Sequence, residues 1–164
     1  MKEFDNLEIA EMTIDHIDDV IIIEKLCFKT PWSKKAFTEE LVNNKFARYI
    51  VALTNRKVIG YAGFWKILDE GHITNIAVHP EFQGEGVGNC LMYNLIELAR
   101  KEGLTRLTLE VRAGNLKARS LYKKYGFSDC GIRKGYYSDN NEDAIIMWKN
   151  DVAENRTDTT EGGF

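Results

Sequence analysis

At 164 residues, 44% hydrophobic and 29% charged, the chain has the size and balance of one globular unit with a real core. A formal net charge of -3 and a pI of about 5.7 argue against a basic nucleic-acid binder. No apolar run, Val20 to Ile23 included, is longer than five residues, far too short to span a bilayer, and the N-terminal stretch M-K-E-F-D-N lacks a signal-peptide core. The expectation is a cytoplasmic protein with no membrane and no direct nucleic-acid partner. Cys27, Cys90 and Cys130 have no C-x-x-C spacing and read as reduced thiols, the first two as core fillers.

In chain order, Leu7, Ile9 and Met12 suggest a short first strand. Thr13 is placed to cap a helix that carries Ile17, Val20, Ile21, Glu24 and Leu26 to about Cys27. Pro31 stops it, and Ser33 caps a second helix, K-K-A-F-T-E-E-L-V-N-N. Trp32 thus falls in the loop between two helices, either as a hydrophobic plug or as a wall of a substrate groove. Arg48–Thr54, Val58–Leu68 and His72–Val78 read as three strands joined by short turns, an antiparallel meander. Gly60 and Gly63 inside the second of these mark a bulge or a close backbone approach.

The third strand ends in I-A-V and is stopped by Pro80. Glycines then alternate at 84, 86 and 88, and a helix follows with Leu91, Leu95, Leu98 and Ala99 on one face, ending near Gly103. Glycines admit a ligand close to the backbone, and free N–H groups at a helix start favour anions. A phosphate or pyrophosphate is expected there. No Lys-Ser or Lys-Thr follows the glycines, and their spacing does not fit a dinucleotide fingerprint. Arg106–Arg112 is a strand with Leu107, Leu109 and Val111 on one face and Thr108, Glu110 and Arg112 on the other. Asn115 caps a further helix, L-K-A-R-S-L-Y-K-K-Y, which Gly126 ends. A strand from Phe127, the polar turn S-D-N-N-E-D and a strand Ala144–Trp148 complete the pattern. Residues 1–149 are expected to form a single domain, with 150–164 a mobile tail. The strand–helix–strand unit over 72–112 should be parallel and right-handed, giving a mixed sheet.

The stretch N-I-A-V-H-P-E-F-Q-G-E-G-V-G resembles the acetyl-CoA pyrophosphate loop of the GNAT superfamily of N-acetyltransferases. With P-W-S, L-E-V-R-A-G-N, L-Y-K-K-Y-G-F, R-K-G-Y-Y and E-D-A-I-I-M, about 145 residues resemble its RimI-like branch, the ribosomal-protein-alanine N-acetyltransferases. The resemblance implies an α+β, three-layer GNAT fold with about seven strands and four helices. It implies acetyl-CoA as co-substrate, no metal, and a ribosomal protein N-terminus as acceptor. Gly114 departs from the branch, which usually has Ser before the Asn, and should loosen that turn.

The same resemblance implies that Ile76, Ala77 and Val78 offer backbone groups to the pantetheine and the acetyl carbonyl. Gln83, Gly84, Glu85, Gly86, Val87, Gly88 and Asn89 would hold the pyrophosphate. Asn115 and Tyr122, seven apart on one helix, share a face toward the cofactor. Tyr122 would be the general acid, or else a packed aromatic; Tyr125 is the nearby competitor on another face. Glu110 is either a general base or half of a salt bridge with Arg112 or another cation. Trp32, Tyr136 and Glu142 would flank the acceptor. His16, His72 and His79 are scattered without ligand-pair spacing. Neutralising an α-amine at pH 7 costs about 1 kcal/mol, against about 4–5 for lysine, so one carboxylate suffices for an N-terminal amine. Other acceptors, such as lysine, a polyamine or another small amine, remain open, as does a non-catalytic acyl-CoA-binding module.

Overall fold

The computed structural model describes residues 6–153. Strand β1 (Glu8–Glu11) leads through a 3-10 turn, Ile14–His16, into helix α1 (Ile17–Cys27). The sequence led to one helix capped by Thr13. Instead His16 Nδ1 accepts the Thr13 N–H at 2.9 Å, closing the 3-10 turn before α1 starts. Helix α2 (Lys34–Val42) begins where expected, with Ser33 Oγ accepting the Ala36 N–H at 3.1 Å. The meander is β2 (Ala47–Thr54), β3 (Lys57–Ile67) and β4 (Glu70–Val78). A 3-10 turn, Pro80–Phe82, leads to the glycine loop and α3 (Val87–Lys101). Strand β5 (Arg106–Arg112), α4 (Leu116–Lys124), β6 (Ser128–Tyr137) and β7 (Glu142–Lys149) complete the order.

The strands form one mixed sheet in the order β1-β2-β3-β4-β5-β7-β6. The β4–α3–β5 unit is parallel, as its crossover helix requires, and every other pairing is antiparallel. Strand β7 lies between β5 and β6, which leaves β6 at the edge. On one face of the sheet, α3 and α4 bury Val87, Leu91, Leu95 and Tyr122 with Ile73, Leu107 and Leu109. On the other, α1 and α2 set Val20, Ile23 and Phe37 against Tyr49, Val51 and Tyr61. Each fully buried aliphatic side chain stabilises the fold by about 1.5–3 kcal/mol, so the helix stripes fix which face each helix covers.

Gly63 fulfils both readings made of it. The β3–β4 register shifts there, and a Cβ on Gly63 would lie 2.1 Å from a Tyr49 ring carbon. The packed chain continues past residue 149. Val152 is fully buried, its N–H donates to Thr105 C=O at 3.1 Å, and its own C=O accepts from Arg100 Nε at 3.0 Å. The rest of the expected tail, 154–164, lies outside the described residues. Among the described residues no helix is long and apolar enough to cross a membrane.

Candidate active site

Strand β4 loses its neighbour part-way along. Its pairing with β5 covers Glu70, Gly71 and His72, opposite Arg106, Leu107 and Thr108, and then stops. Beyond that point β5 stays with β7 through Arg112, while β4 stays with β3 through Val78. The two strands therefore divide and leave one side of β4 open. Opposite Gly63 and Phe64 stand Asn75 and Ile73, so Thr74 is an extra residue in β4. That bulge lets Ile73 and Ile76, three apart, both face the α3 core. The His79 N–H donates to Ile59 C=O on β3 at 2.8 Å. By strand alternation, the backbone groups of Ile76 and Val78 then point away from β3, into the division. Side chains meet the Val78 carbonyl there: Gln83 Nε2 donates to it at 3.0 Å and the Cys27 thiol at 3.3 Å. Cys27 is thus a wall of the site rather than a simple core filler. Burial and the Glu24 carboxylate push its thiol up, which keeps it a poor nucleophile.

The glycine loop closes one end of this division. Gly84 and Gly86 have φ of 79° and 88°, and a Cβ on either would meet nothing within 4 Å. Gly86 caps α3, and the Cys90 N–H is the first to bond back along the helix, to Gly86 C=O at 3.1 Å. The N–H groups of Val87, Gly88 and Asn89 thus precede the helical ladder. A cavity of about 550 Å³ lies before them, lined by Ile76, Ala77, Val78, Gln83, Gly84, Gly86, Gly88, Asn89, Asn115 and Tyr122. Val87 is different, because its side chain is buried in the core and only its backbone belongs to the loop. Glu85 does not line the cavity, and its Oε2 is buried without a hydrogen-bond partner among the described residues.

Helix α4 forms the facing wall. Asn115 Oδ1 accepts the Ala118 N–H at 3.2 Å, which fixes the helix start. Tyr122 lines the cavity, packs on Phe127 at 6.0 Å, and has its phenol pushed well up by burial. Tyr125 serves another purpose. Its hydroxyl donates to Asn89 C=O at 3.0 Å and, with Lys124 Nζ at 2.8 Å from Asn89 Oδ1, ties α4 to the loop. Lys117 and Lys124 also line the cavity. The sequence signalled them only as basic residues two and nine positions after Asn115.

Glu110 does not line this cavity. It lies on the α1–α2 side of β5, on the face opposite Leu109 and Val111. Of the cationic partners foreseen for it, Arg112 is not the one. That guanidinium turns to Asp139 at 2.9 Å and Glu142 at 3.4 Å, over the Tyr137 ring at 4.0 Å. The close partner is His72, whose Nε2 stands 2.7 Å from Glu110 Oε2, and Arg133 Nε lies at 4.0 Å from Oε1. This hydrogen bond holds the Glu110 carboxyl below the usual range, and the same bond raises His72 despite its partial burial.

The three residues expected near the acceptor are each held by separate partners. The Trp32 N–H donates to Glu24 Oε2 at 2.8 Å, and its ring packs on Phe37 at 5.1 Å, which favours the plug. Tyr136 is 47% exposed, with Arg133 at 5.6 Å over its ring. Glu142 Oε2 accepts the Gly114 N–H at 2.8 Å. The turn expected to be loose at Gly114 is therefore pinned, and a Cβ there would stand only 2.9 Å from that oxygen. Glu24 shares the helix face of Ile17 and Val20, but its carboxylate gave no sign of being buried there, where it accepts from the Tyr61 hydroxyl, the Trp32 N–H and, at 3.4 Å, Asn75 Nδ2. No group of three or more metal-ligating side chains exists among the described residues.

The family described as "Acetyltransferase (GNAT) family" matches residues 17–127. The chain belongs to the GNAT family of acetyltransferases. A Bacillus subtilis relative is 44% identical over 140 residues, covering 85% of this chain and 93% of its own. An Escherichia coli (strain K12) protein named ribosomal protein bS18-alanine N-acetyltransferase is 42% identical over 129 residues, 76% of this chain and 84% of its own. The crystal structure of the Escherichia coli ribosomal-protein-S18-alanine N-acetyltransferase superposes with a TM-score of 0.81 at 34% identity, covering 88% of this chain and 93% of that one. Seven strands and four helices are what the GNAT resemblance implied.

Proposed function

We propose that the chain transfers an acetyl group from acetyl-CoA to the α-amine of an N-terminal alanine, on a ribosomal protein of the bS18 kind. The relatives named for that reaction support the acceptor. The observation that carries the chemistry is the division of β4 from β5, with a glycine loop on one side of the sheet and Glu110 on the other. The site fits the donor. Gly84 and Gly86 leave open space before the loop, and an extended pantetheine arm can pair with the free side of β4 as another strand would. The N–H groups of residues 84–89 suit a pyrophosphate at the start of α3, with Gln83 bracing the end of β4.

When bound, the thioester supplies an activated acyl carbon. The Val78 N–H, pointing into the division, is placed to stabilise negative charge developing on the carbonyl oxygen. Glu110 is ionised at neutral pH and takes the proton of the acceptor ammonium, directly or through water. The amine lone pair would form the C–N bond as the C–S bond breaks, and the second proton, lost from the acylated nitrogen, would end on the departing thiolate. Tyr122 keeps its proton at every working pH and donates toward that sulfur. Its raised phenol lies above a thiol of ordinary pKa near 8.5, so hydrogen bonding to the thiolate contributes more than complete transfer. Asn115 sets the start of the helix that carries Tyr122. Tyr136 and Glu142 frame the acceptor side, with Trp32 packed behind it on Phe37. The test is kcat/KM on a peptide series differing only in the first residue. Alanine should lead by tenfold or more over bulky residues, and a flat series would overturn the acceptor assignment.

A further inference from the structure

His72 occupies the last position at which β4 and β5 are paired, opposite Thr108. Glu110 is the next residue of β5 on that face, just past the point where the strands part. The bond between them, 2.7 Å from Nε2 to Oε2, therefore spans the apex of the division. A carboxylate only accepts, so the imidazole carries hydrogen on Nε2. The second oxygen, Oε1, stands 4.0 Å from Arg133 Nε, beyond hydrogen-bond range. Resting on the acetyl-transfer reading above, we propose that His72 is a positioning residue: it fixes one oxygen of Glu110 at the apex and leaves the other to receive the acceptor's proton.

The bond has a chemical consequence beyond orientation. With neutral His72, the pair carries one negative charge and Oε1 is an effective proton acceptor. With protonated His72 the pair is neutral overall and Oε1 is a weaker base. Glu110 raises His72 above its ordinary value, so this weakening reaches closer to neutral pH than a free imidazole would allow. The other charged or titratable groups facing the pair are few. Arg133 and Tyr137 stand on β6, and Glu40 reaches from α2 to the indole N–H of Trp65, the β3 residue paired with His72. Arg133 opposes protonation of His72, but the Glu110 hydrogen bond outweighs it.

The experiment compares wild type with His72→Gln, which keeps a donor near the Nε2 position, and His72→Ala, which keeps none. At pH 8, His72→Gln should retain kcat within about threefold, and His72→Ala should lose about tenfold or more, with KM for acetyl-CoA unchanged in both. Between pH 8 and pH 6, the activity of His72→Gln relative to wild type should rise severalfold, because its donor does not titrate. Wild-type kcat and pH profile in His72→Ala, with only a lowered Tm, would make the bond a strand staple and overturn the proposal. A readout independent of turnover is the ring 15N spectrum of His72. Glu110→Gln should lower its titration point, and an unchanged titration would also overturn the proposal. If wild type acetylates an amine other than N-terminal alanine, the acceptor reading fails on its own, and the His72 comparison is made on that amine.

Discussion

Glu110→Gln separates base catalysis from architecture. The substitution keeps the size of the side chain and removes its charge. Structurally it weakens a part-exposed pair, the side chains being 16% and 32% exposed, so its stability cost is about 1 kcal/mol or less. Catalytically it removes the only proposed acceptor for the ammonium proton. At pH 7 an α-amine of pKa about 8 is roughly one-tenth neutral, and a positioned base contributes about 100-fold or more. The kcat of Glu110→Gln should fall about 100-fold at pH 7, and the deficit should narrow by about tenfold at pH 9, where the amine deprotonates without help. Glu110 lies outside the cavity that faces the glycine loop, so acetyl-CoA affinity should stay within about threefold. Steady-state kinetics across pH, with acetyl-CoA binding by calorimetry, measure both. Equal loss of turnover and cofactor affinity, or a deficit that does not change with pH, would refute the role of base.

Tyr122→Phe should lower kcat by about tenfold to 100-fold with KM for acetyl-CoA little changed, because the ring keeps its contact with Phe127. Gly63→Ala should lower Tm by about 5–10 °C by forcing the Tyr49 ring aside, as a scanning calorimeter would show. The His72–Glu110 bond should also show in stability against pH. Glu110 has a depressed folded pKa, so its contribution is present above the usual carboxylate range and is lost as pH falls through the lower folded value. His72 has a raised folded pKa, so its contribution is full below about 6.5 and is lost as pH rises through the folded value. These are one interaction seen from both sides, and the stability gap between wild type and His72→Gln should be widest near pH 5–6 in denaturant titrations.

The loop side of the site was legible because its signals are local. I-A-V, three alternating glycines and a helical stripe fix strand, turn and helix within one stretch, and Asn115 to Tyr122 follows from helix spacing alone. The acceptor side depends on sheet register. His72 and Glu110 are 38 residues apart, and their meeting requires both the parallel pairing of β4 with β5 and its end at His72. No local pattern states where a pairing stops. Helix spacing puts Glu24 on the face of Ile17 and Val20, but a carboxylate is buried there only because Tyr61 and Asn75 arrive from β3 and β4 to bond it, and no local pattern states that. Val152 was read as part of a polar tail. A single apolar residue gives no periodicity, and its burial is decided by Thr105 and Arg100. The place of β7 between β5 and β6 was likewise unreadable, since either strand of that hairpin could have paired with β5.

The most direct test is intact-mass measurement on two peptides incubated with the enzyme and acetyl-CoA. One begins with a free alanine and contains no lysine; the other has a blocked N-terminus and one internal lysine. A gain of one acetyl group on the first alone is the predicted result. A gain on the lysine peptide alone would contradict α-amine acetylation while leaving the cofactor side of the site intact.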